Sequence, residues 1–210
     1  PYAIEHTIQW ARDVFEGEFA QAAEAVNAWI SSGGAHLAEL HRQGGEDEAY
    51  ASAVVAVHEA AVHRPTDAAG CVAWALARFR RLFRDDIAKL LAQHPPGSVT
   101  ESGASFWSGA KKQPQLLEMD TSNHGHRTFV YAAARLRADM LGLDAPSEAD
   151  VETLLEGDDV GAHLPPWNRP PAELLAELPA PAAELRVRSA VFEKDDDANG
   201  HVAFVTAASN

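Results

Sequence analysis

The sequence predicts a mostly α-helical domain of 210 residues, built as a compact, bundle-like arrangement of many helices. Apolar residues recur at spacings of three and four along several segments, which puts them on one face of a helix. Gly and Pro residues cluster between these segments and separate them. A chain of this length buries roughly 70% of its unfolded surface, so it can form a substantial core.

Four helices are predicted in the first third of the chain. The first spans residues 4–19, whose apolar residues share one stripe, and Gly17 is expected to bend or end it. The second covers residues 22–30 and stops at the Ser-Ser-Gly-Gly turn that follows. The third and fourth cover residues 35–43 and 46–63, with a Gly-Gly pair between them.

A long central helix is predicted to begin at Thr66, because its hydroxyl can accept a hydrogen bond from a free amide of the first turn. The Pro-Pro pair after His94 ends this helix. An apolar stripe runs along its whole length, which predicts that it lies at the centre of the bundle. The residues of the stripe are Cys71, Trp74, Ala75, Phe79, Leu82, Phe83, Ile87, Leu90 and Leu91.

A long polar segment, residues 97–125, follows the central helix. Phe106 and Trp107 lie within it, so we expect an ordered loop that these two rings hold in place, since long structureless loops are uncommon in compact domains. A helix is predicted at residues 126–140. Ser147 is expected to cap a short helix after that.

The last quarter of the chain contains stretches rich in Pro and Gly between short segments of periodic apolar residues. Residues 158–171 are rich in Pro and Gly and predict a surface excursion, followed by a short helix at residues 172–178. Approximate alternation over residues 185–192 predicts a short strand. Residues 195–208 then repeat the spacing of Asp, His and Phe found in residues 120–133, which predicts a helix at the end of the chain. Helix chemistry alone accounts for this match, so it does not indicate duplication.

The charge of the chain excludes one class of partner. Seventeen Lys and Arg against 31 Asp and Glu give a net charge of −14. Nucleic-acid-binding proteins neutralise phosphates with clustered Lys and Arg, so nucleic acid is not an expected partner. The negative surface suits a basic protein partner, or it serves solubility alone.

Cys71 is the only cysteine, so neither an internal disulfide nor a cysteine-based zinc site is possible. This usage is typical of a reducing compartment and predicts a cytoplasmic and nuclear location. No apolar run approaches the roughly 20 residues of a membrane span, and no signal-peptide pattern is present. The chain begins at Pro1 and ends in an unfinished helical pattern, so we expect it to be part of a longer protein.

Two groups of residues are candidates for chemistry. Cys71 is near a helix start, which favours a reactive thiolate, but its position on the apolar stripe favours a buried structural thiol. His124 and His126 lie close to Asp120 and Asn123, which suggests a metal site. A metal needs three or four ligands in defined geometry, so a loop that leads into a capped helix is the favoured interpretation.

Three other strings resemble functional motifs only in part. The acidic run at residues 195–197 resembles a cation site, but three consecutive acids are more typical of one solvated turn. The SFWSG string at residues 105–109 lacks the strand-turn-helix context of a hydrolase, and the SGAKK string lacks the spacing of a phosphate loop. We therefore predict no metal, nucleotide or hydrolase site in this chain.

Three strings together point to a family: IEHTIQWARDVFEGEF at residues 4–19, SFWSGAKK at residues 105–112 and FEKDDD at residues 192–197. Their order and separation make the chain resemble, over nearly its whole length, the second catalytic cysteine half-domain of ubiquitin-activating enzymes. The resemblance divides the chain into a helical half-domain, residues 1–180, and a partial return segment into the α/β adenylation domain, residues 181–210.

The resemblance also implies roles for residues. The family's thioester cysteine would lie just before Pro1, and this chain would shelter and position it. Asp120 and Asn123 would support the cysteine loop, with helix capping as the alternative role for both, while Asp195 and Asp196 would contact the adenylation domain.

By the same resemblance, the intact enzyme would use ATP and magnesium to activate ubiquitin and pass it to an E2 conjugating enzyme. This chain would bind no cofactor itself, would be monomeric, and would be inactive in isolation. The alternative class is an acidic helical interaction module that binds a basic partner and has no role in catalysis.

Overall fold

Helices form most of the computed structural model, which describes residues 4–109, 112–156 and 169–210. The mostly helical prediction is confirmed. The helices are α1 (Ile4–Phe15), α2 (Ala22–Ser31), α3 (Ala35–Gly44), α4 (Glu48–Ala61), α5 (Ala68–Arg80), α6 (Asp86–Gln93), α7 (His124–Leu141), α8 (Glu148–Glu156), α9 (Pro171–Ala176) and α10 (His201–Ser209).

An aromatic cluster lies where α1, α5, α7 and α10 pack together. Phe15, Phe19, Phe129 and Phe204 are each about 1% exposed, and the rings of Phe129 and Phe204 lie 5.2 Å apart. Aromatic pairs at this separation add to the free energy gained from area burial. The C-terminal helix, which the sequence predicts, therefore belongs to the same core as the first helix.

The sequence predicts that Gly17 bends or ends the first helix, and the regular α-helix does change at this point: α1 ends at Phe15 and Gly17 lies in the turn that follows. A π-helical turn, Glu16–Gln21, joins α1 to α2 without a break in helical backbone conformation. Within this wide turn, the Phe19 carbonyl accepts a hydrogen bond from the Ala190 amide at 3.0 Å. The turn thus provides an attachment point for the C-terminal segment, and π-turns are often found at such specialised positions.

The central helix differs from its prediction in two ways. Asp67, and not Thr66, is the N-cap, because its carboxylate accepts a hydrogen bond from the Gly70 amide at 2.8 Å. Burial also stops halfway: Cys71 and Phe79 in α5 are buried, whereas none of the residues of α6 is. The physical reason is that α7 packs mainly against α5, so the apolar residues of α6 have no full helical cover.

The loop after α6 is ordered in the way that the sequence predicts. The Trp107 indole N–H donates to the His94 carbonyl at 2.7 Å, and the Phe106 ring stacks on the His94 imidazole at 3.8 Å. An isolated β-bridge between Val99 and Ser105 closes the tip of the loop. The two aromatic residues therefore fasten the loop to the end of α6.

No strand forms at residues 185–192, so that prediction is wrong. The segment is extended, but helices and not strands surround it. The side-chain amide of Asn27 forms hydrogen bonds with both main-chain groups of Val187. It donates to the Val187 carbonyl at 2.8 Å and accepts from the Val187 amide at 3.2 Å. The Arg188 amide donates to the Met140 carbonyl. These partners satisfy the buried backbone without a sheet.

The remaining short helices follow their capping signals. The Ser147 hydroxyl oxygen accepts a hydrogen bond from the Asp150 amide at 3.2 Å and caps α8, as predicted. Pro170 precedes α9, which begins with Pro171 at a position that tolerates proline. Most of the predicted excursion at residues 158–171 lies outside the described residues. The division of the chain near residue 180 stays a prediction.

Candidate functional site

The first candidate site is the segment that leads into α7 together with the first turn of that helix, residues 120–126, which we call the α7 cap. The side-chain oxygen of Asn123 accepts hydrogen bonds from the amides of Gly125, at 2.8 Å, and His126, at 3.3 Å. These amides belong to the first turn of the helix and have no partner within it. Asn123 therefore starts α7, and its side-chain NH₂ group remains available to donate to another segment.

Asp120 organises the rest of the α7 cap. Its carboxylate accepts hydrogen bonds from the Ser122 amide at 2.8 Å and the Ser122 hydroxyl at 2.6 Å. These bonds stabilise the charged form and lower the pKa of Asp120 below its usual value. The Asp120 amide donates to Nδ1 of His126 at 3.1 Å, so this imidazole is neutral with its proton on Nε2.

The histidines of the α7 cap do not form a ligand set. His126 uses Nδ1 to hold the Asp120 amide, while His124 is exposed and lies beside the hydroxyl of Thr128. Over residues 4–109, 112–156 and 169–210, no three His, Cys, Asp or Glu side chains come together as metal ligands would. The α7 cap is an exposed, hydrogen-bonded loop that offers polar groups to a neighbouring segment.

Cys71 lies on the inner face of α5 and is fully buried. Burial raises the pKa of its thiol to about 11, although the nearby Arg137 opposes this rise. Desolvation outweighs the opposing charge of Arg137, so the group remains a protonated thiol at neutral pH. A thiol in that state is neither a good nucleophile nor a metal ligand, and this geometry supports a structural role.

Asp195 and Asp196 lie in an exposed turn before α10. Both side chains interact with nearby residues of this turn. The Asp196 carboxylate accepts a hydrogen bond from the Ala198 amide at 2.9 Å, and the Lys194 ammonium lies 3.7 Å from the Asp195 carboxylate. Arg135 of α7 donates to the Ala198 carbonyl at 3.1 Å. This turn is therefore tied to α7 but is separate from the α7 cap.

Sequence reasoning missed a group of buried charges. Glu59, Arg78 and Arg137 are 3–4% exposed, and each lies in a helix among apolar residues. The sequence does contain a signal for these buried charges. Each charged residue interrupts an apolar stretch, such as the AVVAVHEAAV run around Glu59. Charged residues at core positions are almost never fully buried unless they are paired.

In the part of the chain that the structure describes, no helix is long and apolar enough to span a bilayer. That finding concerns only the described helices.

Comparison with known proteins gives one family. Residues 1–165 and 157–210 match the family described as "Ubiquitin-activating enzyme, SCCH domain". The ubiquitin-like modifier-activating enzyme 1 of Dictyostelium discoideum is 34% identical over 237 residues, and that of Homo sapiens is 36% identical over 232 residues. The ubiquitin-like modifier-activating enzyme 7 of Homo sapiens is 35% identical over 228 residues. In each case the alignment covers 100% of this chain but only 22–23% of the relative.

Proposed function

Because the chain belongs to the SCCH domain family of ubiquitin-activating enzymes, we propose that it shelters and positions the thioester cysteine of such an enzyme. The observation that carries the proposal is the family match along the entire chain, shared with relatives named as modifier-activating enzymes. The cysteine itself would lie in a loop before residue 1. The sequence supplies only Cys71, and burial makes that thiol unsuitable as the nucleophile.

In the longer enzyme, ATP and magnesium would serve the adenylation of the ubiquitin C-terminus, and an E2 conjugating enzyme would receive the thioester. This chain would supply neither the adenylation site nor the thiol. Its contribution would be placement, since holding thiol and acyl-adenylate together makes their reaction effectively intramolecular. Ubiquitin, the E2 and the adenylation domain are thus the proposed partners, and the cytoplasm and nucleus the proposed location.

Within the chain, the α7 cap is the proposed support of the cysteine loop. The exposed carboxylate of Asp120 and the NH₂ group of Asn123 offer an acceptor and a donor there, held by the local hydrogen bonds described above. Asp195 and Asp196 are the proposed contacts to the adenylation domain, since they are exposed and tied to α7 through Ala198.

The experiment measures two half-reactions in the longer enzyme that contains this chain. Asn123→Ala should slow formation of the ubiquitin thioester about tenfold, the effect of losing one hydrogen bond worth about 1.4 kcal/mol. ATP–pyrophosphate exchange, which reports adenylation alone, should remain unchanged. Asn199→Ala is the control, because the Asn199 side-chain oxygen also accepts a hydrogen bond from a histidine amide, that of His201 at the start of α10, away from the α7 cap.

A second variant separates support of the loop from helix capping. Asn123→Ser preserves the cap but removes the NH₂ donor, so it should restore stability and leave thioester formation slow. Full recovery of the rate in Asn123→Ser would reduce Asn123 to a cap. A reducible ubiquitin adduct on Cys71, lost in Cys71→Ser, would contradict the assignment of the nucleophile to another cysteine.

A further inference from the structure

Buried and partly buried charges converge between the π-helical turn, α4 and α5. Arg78 Nε lies 2.7 Å from a carboxylate oxygen of Glu18, and Arg78 Nη2 donates to both oxygens of Glu59 at 2.9 and 2.8 Å. The Trp74 indole N–H also donates to Glu59, at 3.2 Å. Glu18, Glu59 and Arg78 thus form a paired cluster, as buried charges require.

A second guanidinium lies beside this cluster. Arg137 of α7 is 3% exposed, its guanidinium carbon lies 4.8 Å from the centre of the Trp74 ring, and its Nη1 contacts the sulfur of Met140 at 3.4 Å. Its Nε and Nη2 atoms are buried, and no residue in the described ranges accepts a hydrogen bond from either of them. Burial lowers the pKa of Arg137, but an arginine does not lose its charge in a protein.

The two atoms without acceptors, Nε and Nη2 of Arg137, lie on the same edge of the guanidinium. Their N–H bonds point in nearly the same direction. This edge matches the two oxygens of a carboxylate or phosphate, which bind it through two parallel hydrogen bonds. Leaving such a fork buried without acceptors is unfavourable, so the geometry calls for an oxyanion.

Arg137 lies in the wall of a large cleft, about 1170 Å³ in volume, between α2, α4 and α5. The same wall contains Glu18 and Glu59, but Arg78 already binds both carboxylates. A single anionic group would supply the two acceptors that the Nε–Nη2 edge of Arg137 lacks.

We propose that this cleft binds a compact oxyanion, a carboxylate or a phosphate, through the Nε–Nη2 edge of Arg137. Exposed Asp13, Glu24 and Glu48 also line the cleft and disfavour an extended polyanion such as nucleic acid. The ligand is accordingly a small molecule or ion with one anionic group. This proposal does not depend on the catalytic role proposed above.

The test is a titration of the ¹⁵N-labelled chain with sodium phosphate and, separately, sodium acetate, with sodium chloride holding the ionic strength constant. The Nε–H signal of Arg137 and the indole N–H signal of Trp74 should shift and reach saturation. Phosphate or acetate should also raise the midpoint of thermal unfolding, by about 5–10 °C at 100 times the dissociation constant. The arm with the lower dissociation constant identifies the preferred oxyanion.

Two substitutions of Arg137 assign the binding. Arg137→Lys keeps the charge but lacks the fork, and Arg137→Met fills the site with an apolar side chain; both should abolish the saturable shift of Trp74. Arg169→Met is the control, because Arg169 lines the same cleft but already donates to Glu173 and Glu177. It should bind like the unchanged chain.

The unchanged chain provides a test that does not depend on variants that fold. Hydrogen exchange of the Arg137 Nε–H should slow when phosphate or acetate is present at saturation. The proposal is wrong if chloride alone produces the same shifts, if neither oxyanion changes the signals, or if Arg137→Lys binds as tightly as the unchanged chain.

Discussion

Two segments of the molecule start helices with the same local chemistry. One is the α7 cap, and the other is the segment at residues 193–201, which we call the α10 cap. In each, an asparagine oxygen accepts a hydrogen bond from the amide of a histidine: Asn123 from His126 at 3.3 Å, and Asn199 from His201 at 2.8 Å. Asn123 is the N-cap of α7, whereas Asn199 lies one residue before Gly200, the N-cap of α10, and accepts from the first amide of that helix. Both arrangements need only a few neighbouring residues.

The imidazole rings of the two histidines also form the same kind of hydrogen bond. Nδ1 of His126 accepts from the Asp120 amide at 3.1 Å, and Nδ1 of His201 accepts from the Glu193 amide at 3.0 Å. Each imidazole thus fastens the chain that precedes its helix and must be neutral to do so. This shared arrangement explains why the two sequences echo each other without requiring duplication.

The surroundings of the two caps differ. His201 is 9% exposed, and its ring lies 4.8 Å from Phe15 and 5.9 Å from Phe192 in the core. His126 is half-buried against Phe79, and the other residues of the α7 cap are mostly exposed. One cap therefore anchors the C-terminal segment in the core, while the other remains at the surface with polar groups to offer. Local sequence sets the cap, and packing decides what the cap can do.

The largest expected effect comes from the phenylalanine that follows each histidine by three residues. Phe129→Ala and Phe204→Ala should each lower the free energy of unfolding by about 3–5 kcal/mol, because each empties a buried site. The two rings are in contact, so the double variant should lose less than the sum of the single losses. Chemical denaturation measures all three. Additive losses would show that the two helices do not share one cluster.

The histidines should separate the two caps. His201→Ala is expected to lower the free energy of unfolding by about 2–3 kcal/mol, since it removes the hydrogen bond to the Glu193 amide and empties a buried site against Phe15. His126→Ala should lose only about 1 kcal/mol, because water can reach the Asp120 amide. His124→Ala, at an exposed position, is the control and should change little. If His201→Ala and His126→Ala lower the free energy of unfolding equally, burial does not distinguish the two caps.

The asparagines should make the caps look alike. Asn123→Ala and Asn199→Ala should each lower the free energy of unfolding by about 1 kcal/mol, because each side-chain oxygen accepts a hydrogen bond from an amide of the first helical turn. Asn123→Ser should recover most of that loss, whereas Asn199→Ser should recover less, because the Asn199 NH₂ group also donates to the Glu193 carbonyl. If either alanine variant is as stable as the unchanged chain, its asparagine does not hold that helix amide in solution.

The smallest expected effect is the response to pH. Burial lowers the pKa of His201 below 6.5, although Asp139, Asp196 and Glu193 oppose the shift. Below pH 6.5 the unfolded chain therefore binds more protons at this position than the folded chain, so this contribution to stability falls as pH decreases. Urea unfolding between neutral pH and about pH 5 measures it. His201→Gln, which cannot ionise, should show a weaker dependence; an identical dependence would assign it to other groups.

The sequence by itself determined most of the helices, the presence of a cap before α7, the final helix and the family of the chain. Each of these depends on information within a few residues: a three- and four-residue apolar repeat, a side chain that can accept from a helix amide, or an uncommon string such as SFWSGAKK. Spacing predicts which face of a helix is apolar. It does not predict which neighbour covers that face.

Tertiary structure alone decided the remaining features. The stripe of the central helix is buried at Phe79 but not at Leu90, because α7 packs mainly against α5 and leaves α6 with only partial cover. The alternating segment at residues 185–192 is not a strand, because Asn27 and helix carbonyls take its main-chain groups. Arg137 faces the cluster around Glu59 only because α7 packs against α5. Pairing between distant segments depends on distances that no local pattern encodes, and burial then sets how strongly each unpaired group matters.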